Sequence, residues 1–168
     1  MAETVRTDVR IAAVPVTHPD AALLVEQVQA EYVVRYGGRD DTPLDAAAFE
    51  PGNGAFFVGY AGHQPVVSGA WRWVPLPSGT PWSASRCAEI KRMYVVPTAR
   101  GRGLARQMLA HLEVDAGRQG AQVVVLETGL SQPEAIGLYT SGGYEPVAPY
   151  GHYRCAPASR CFGKRLGR

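Results

Sequence analysis

Cysteine is scarce in this chain, with three in 168 residues, and the three make no zinc pattern. Cys155 and Cys161 stand too far apart for a CxxC pair, and Cys87 is remote from both. An odd number of thiols without metal spacing fits free cysteines in a reducing compartment rather than a disulfide framework. Net charge is nearly absent too: 17 Lys and Arg against 15 Asp and Glu leave a formal +2. So weak a balance argues against a nucleic-acid or membrane partner held by charge. No apolar run reaches the ~20 residues that a bilayer helix needs. Residues 1–6 lack the apolar segment of a secretory signal, and no internal repeat is visible. The expectation is one soluble, cytoplasmic domain over residues 1–168, monomer or homodimer, without a metal. Its composition, 46% hydrophobic and 19% charged, is that of an ordinary globular protein.

What is present is an alternation of strand and helix patterns. Residues 9–16 read as a strand, and from Asp20 the spacing of Leu24, Val28, Tyr32 and Arg35 turns helical until Gly37-Gly38. A short second helix is expected over 44–49. Strands at 55–60 and 66–74 form a hairpin across Gly62-His63. After a Pro- and Ser-rich loop, a strand over 87–96 leads through a turn into an amphipathic helix over 102–117. Its apolar face is Ala105, Met108, Leu109, Leu112 and Ala116. The unbroken run Val123-Val124-Val125-Leu126 suits a strand covered on both faces. A helix over 133–140 and strands at 144–147 and 159–166 complete an α/β (α+β mixed) pattern, a mixed sheet with helices on its faces.

The turn between the fourth strand and its helix reads Arg100-Gly101-Arg102-Gly103-Leu104-Ala105. The first N–H groups of a helix lack intrahelical partners, and the macrodipole makes that end positive. Glycines there let an anion approach the backbone, and arginines add charged donors. A Walker A loop is excluded because no Gly-Lys-Ser/Thr follows. A Rossmann fingerprint is disfavoured because Arg106 stands where the last glycine belongs and the motif comes late in the chain. A plain glycine turn with solvated arginines stays open on these residues alone.

Three segments in order resemble the GCN5-related N-acetyltransferases (GNAT). Arg100-x-x-Gly103-x-Ala105 is similar to the family's pyrophosphate-binding signature. The preceding Glu89-Ile90-Lys91-Arg92-Met93-Tyr94-Val95 resembles its fourth strand, and Ala135-x-x-x-Tyr139-x-x-x-Gly143-Tyr144 its late helix. The resemblance covers about residues 87–147 and implies the acyl-CoA N-acyltransferase fold, with a mostly antiparallel mixed sheet. It further implies acetyl-CoA as co-substrate and transfer of its acetyl group to a primary amine, most readily that of a small molecule. A protein N-terminus or lysine, or a non-catalytic acyl-CoA-binding role, are the alternatives.

By that resemblance the cofactor meets Met93, Tyr94 and Val95 on the strand, Arg100 to Ala105 (with Gly101, Arg102, Gly103 and Leu104) in the turn, and Gln132 and Ala135 beyond. Gln132 stands where the family often has Asn, and carries the same amide on a longer stem. Tyr139 is the expected acid for the leaving thiolate. Glu89 is the expected base for the attacking amine, with Glu127 in reserve; each also reads as an ordinary strand carboxylate. Tyr32, Tyr36, Glu127 and Tyr153 are candidate acceptor contacts, since aromatic and acidic groups suit a cationic amine.

Overall fold

The computed structural model describes residues 8–42, 45–83 and 86–167. The opening segment read for a signal, and Leu44 of the expected second helix, lie outside them. The chain runs β1 (Arg10–Ala13), α1 (Pro19–Tyr36), β2 (Gly54–Ala61), β3 (Gln64–Val74), β4 (Cys87–Val95), α2 (Leu104–Arg118), β5 (Val123–Gly129), α3 (Pro133–Ser141), β6 (Glu145–Val147) and β7 (Ser159–Arg165). The expected second helix is corrected to one 3₁₀ turn, Ala46–Phe49, capped by the Asp45 carboxylate. Four residues between Asp45 and Glu50 cannot build the hydrogen-bond ladder of an α-helix.

The helix ends follow from single residues. Pro19 opens α1, where a missing N–H costs nothing, and His18 Nδ1 accepts the Asp20 N–H at 3.1 Å. Gly37 closes it at φ +77°, its N–H returning to the Val33 carbonyl at 2.9 Å. α2 begins two residues later than the sequence predicts, because Gly101 and Gly103 are both left-handed at φ +76°.

All seven strands lie in one sheet, ordered β1-β2-β3-β4-β5-β7-β6. Among the described residues only β4 and β5 pair in parallel; every other pairing is antiparallel. α1 packs Ala21, Leu24 and Val28 onto Phe56, Val58 and Ala70 on one face. α2 and α3 pack Met108, Leu112 and Tyr139 against Phe57, Trp71, Val124 and Leu126 on the other. The central run Val123 to Leu126 is at most 1% exposed, as covering on both faces demands. Burial of each such aliphatic side chain stabilises the fold by about 1.5–3 kcal/mol. Trp71 ties the layers together, its indole N–H donating to Asp115 Oδ2 on α2 at 2.7 Å.

Candidate active-site cleft

Strands β4 and β5 begin as neighbours and then part. They pair from Cys87 opposite Val123 to Ile90 opposite Leu126 and no further. Beyond that point β4 stays with β3 and β5 continues along β7. The divergence starts at a bulge. Register slips between Ser68 and Ala70, and Arg92 opposite it adopts φ +55°, the one positive φ outside glycine among the described residues. The Ser68 hydroxyl donates to the Arg92 carbonyl at 2.9 Å and holds the bulge in place. Along Met93, Tyr94 and Val95, the side of β4 turned toward β5 therefore has no strand partner.

A cleft of about 820 Å³ fills the wedge. It brings together almost every residue the sequence singled out. Met93, Tyr94, Val95, Arg100, Gly101, Gly103, Leu104, Ala105, Gln132, Ala135 and Tyr139 line it, as do Tyr32, Tyr36, Glu127 and Tyr153. Arg102 is exposed and does not line it, and Glu89 lies outside it.

At one end, the start of α2 has neither a side-chain cap nor an acidic residue in its first turn. Its leading N–H groups are thus left for an external acceptor. A Cβ on Gly101 or Gly103 would meet nothing within 4 Å; glycine is needed there for backbone conformation, not for room. Arg100 is more constrained than the sequence suggests. Its Nε donates to the Val95 carbonyl at 2.9 Å, and its guanidinium pairs with Glu31 of α1. Arg35 makes a second tie from α1, to Glu134 at 2.6 Å and the Ser131 carbonyl at 2.7 Å.

At the middle, Tyr139 is 5% exposed with its ring edge-on to Tyr144, and burial pushes its phenol well above the usual value. The Gln132 amide donates to the Tyr36 hydroxyl at 3.0 Å, joining a residue expected on the cofactor to one expected on the acceptor. The longer stem of Gln reaches α1. Gly129 makes this possible, since a Cβ there would strike the Tyr36 ring and hydroxyl.

The far end holds a polar knot that joins Tyr153 to Asp40, Asp41 and Arg92. Arg92, only 4% exposed, donates to Asp40 at 2.6 Å. The Tyr153 hydroxyl lies 2.9 Å from the same carboxylate and 2.6 Å from Asp41. Burial alone would raise the Asp40 carboxyl, but bonds from the Thr42 hydroxyl and N–H and from Arg92 outweigh it and set it at about 2. Burial pushes the nearby Tyr32 phenol up to about 12. These groups stitch the loop after α1 to the bulge and to the segment before β7.

The two carboxylates considered as bases sit differently. Glu89 is 4% exposed, accepts from Arg72 Nε at 3.0 Å and forms an ion pair with Lys91 at 3.5 Å. Glu127 faces the cleft, and burial, the largest influence on it, raises its carboxyl against the lowering effect of Lys91. No group of three or more His, Cys, Asp or Glu is placed to hold a metal ion among the described residues, and no helix there is long and apolar enough to cross a membrane.

Known proteins share this fold. The profile of the acetyltransferase (GNAT) family matches residues 23–144. The IAA acetyltransferase of Azospirillum brasilense is 40% identical over 78 residues, 46% of this chain, and the match spans only 51% of that relative. The uncharacterised N-acetyltransferase YjgM of Escherichia coli is 31% identical over 136 residues, 77% of each chain. A Klebsiella pneumoniae structure described as an acyl-CoA N-acyltransferase superposes with a TM-score of 0.74 at 26% identity, covering 96% of this chain and 99% of that one. The chain belongs to the GNAT family of acetyltransferases and carries its acyl-CoA N-acyltransferase fold.

Proposed function

We propose that the protein transfers the acetyl group of acetyl-CoA to the primary amine of a small molecule by direct attack in a ternary complex. The observation that carries this is the wedge itself. One cleft offers uncapped helix N–H groups, an unpaired strand edge, a carboxylate and a buried phenol. The α2 start suits the pyrophosphate of the co-substrate. The free edge at Met93, Tyr94 and Val95 suits its amide-rich arm and can polarise the thioester carbonyl.

Glu127 is the better base. It lines the cleft and burial raises its carboxyl, whereas Glu89 is tied to two cations away from it. A carboxylate with a raised value accepts a proton more readily near neutral pH. Glu127 takes one proton from the acceptor ammonium, and Tyr139 gives one to the departing thiolate. The second proton shed by nitrogen as the amide forms replaces it, so each turnover releases one proton overall. Burial raises the phenol, but a thiolate formed beside it in the same dry site is raised too, and transfer depends on the difference.

Asp40, Arg92 and Tyr153 line the acceptor side of the cleft and tie three segments together there, which suits a compact amine over a peptide laid through an open groove. Its three cysteines are free thiols, in keeping with a cytosolic enzyme. The test is thiol release from acetyl-CoA over a panel of small amines, N-terminal peptides and lysine peptides. Small amines are expected to support turnover, and Tyr139→Phe to lower kcat about 100-fold with acetyl-CoA affinity retained. Turnover confined to peptides would refute the small-molecule reading, and a wild-type rate in Tyr139→Phe would refute the acid.

A further inference from the structure

A second cavity of about 370 Å³ adjoins the cleft, and Lys91 and Glu127 line both. Its own walls include Arg72, Glu89, Tyr150 and the apolar Val74 and Leu76. Two cations meet one carboxylate here. Glu89 accepts from Arg72 at 3.0 Å and lies 3.5 Å from Lys91, with the two cationic side chains 21% and 13% exposed. Arg72 and Lys91 together carry one positive charge more than Glu89 neutralises. Tyr150, one of its walls, also has a polar atom with nothing to bond. The Tyr150 hydroxyl is buried and has no hydrogen-bond partner, a condition that native proteins seldom leave without a reason.

Charge decides what fits. With the acceptor's ammonium opposite Glu127, as the proposed mechanism requires, Arg72, Lys91 and Glu89 still sum to +1. A simple alkylamine would leave that charge uncompensated in a half-buried site, which is unfavourable at low dielectric. An acceptor carrying its own carboxylate close to the amine cancels it, and its oxygens can accept from Arg72, Lys91 and the Tyr150 hydroxyl. Val74 and Leu76 leave the rest of the chamber suited to an apolar side chain rather than a charged one. We propose that this chamber is an acceptor subsite and that it selects an amino-carboxylate with a small apolar side chain. The inference rests on the acetyl-transfer reading above, with Glu127 receiving the amine.

Initial rates of thiol release with leucine, leucinamide and isopentylamine test it, because the three share an amine and a branched apolar end but only leucine bears a carboxylate. Leucine is expected to exceed both others in kcat/KM by about tenfold or more. The comparison is stringent, since the leucinamide amine is the more easily deprotonated. Tyr150→Phe, which keeps the ring, and Arg72→Gln are each expected to narrow the leucine-to-leucinamide ratio at least fivefold without changing the KM for acetyl-CoA. Leucinamide or isopentylamine used as well as leucine, or a ratio unmoved in Tyr150→Phe, overturns the subsite while leaving acetyl transfer intact. Absence of thiol release with every amine, despite acetyl-CoA binding, overturns both readings.

Discussion

Glu89 and Glu127 sit on adjacent parallel strands, and what separates them is the number of cations each meets. Glu89 has Arg72 and Lys91 within 3.5 Å, while Glu127 has burial as its largest influence. Glu127 must be ionised to act as a base, so activity falls as pH drops through its raised value. The acidic limb of kcat/KM against pH is expected above the ordinary ~4.3 of a glutamate, and Glu127→Gln should remove that limb and lower kcat about 100-fold. A limb at the ordinary value would count against Glu127. Asp40 runs the other way. Its folded value, about 2 against 3.8, is depressed, so the stabilisation exists above pH ~4 and is lost as pH falls toward 2. The difference is on the order of 2 kcal/mol. Denaturant melts of wild type and Asp40→Asn should differ by at least that much at pH 7 and converge near pH 2. Neither environment could be read beforehand, because Asp40 and its partner Arg92 are 52 residues apart and meet only through the bulge.

At the scale of elements, α2 and β4 do the positioning. The glycines before α2 were legible as an opening for an anion, while the structure shows that their left-handed backbone is what requires them. The two-residue delay in the helix start is the same fact in three dimensions. Gly103→Val should cost about 1–2 kcal/mol from the left-handed backbone and weaken acetyl-CoA binding at least tenfold by calorimetry, since a strained turn no longer presents the leading N–H groups of α2 in place. Equal affinity in that variant would exclude the turn as the cofactor's anchor. The bulge in β4 was not legible. Lys91-Arg92-Met93 alternates like any strand, and only the Ser68 bond and the Asp40 pair reveal that Arg92 is held out of register.

For the molecule as a whole, the cleft is assembled from pieces far apart in the chain: α1, the β4 edge, the α2 turn, the end of β5 and the segment before β7. A ligand that binds across them should stabilise all of them together. Acetyl-CoA at about 100 times its Kd adds roughly 2.7 kcal/mol, equivalent to a rise in Tm of about 5–10 °C for a domain this size. NADH is expected to give none, and a shift with NADH alone would remove the proposed co-substrate. The mixed sheet, the order of its strands and the position of the glycine turn before α2 were determined by the sequence, because periodicity, glycine placement and helix-start chemistry act within a few residues. The parting of β4 from β5, the pairing of Gln132 with Tyr36 and the contrast between Glu127 and Glu89 were decided only by tertiary structure. Each depends on which distant groups share a low-dielectric space, and burial and charge neighbours of that kind leave no mark on local sequence.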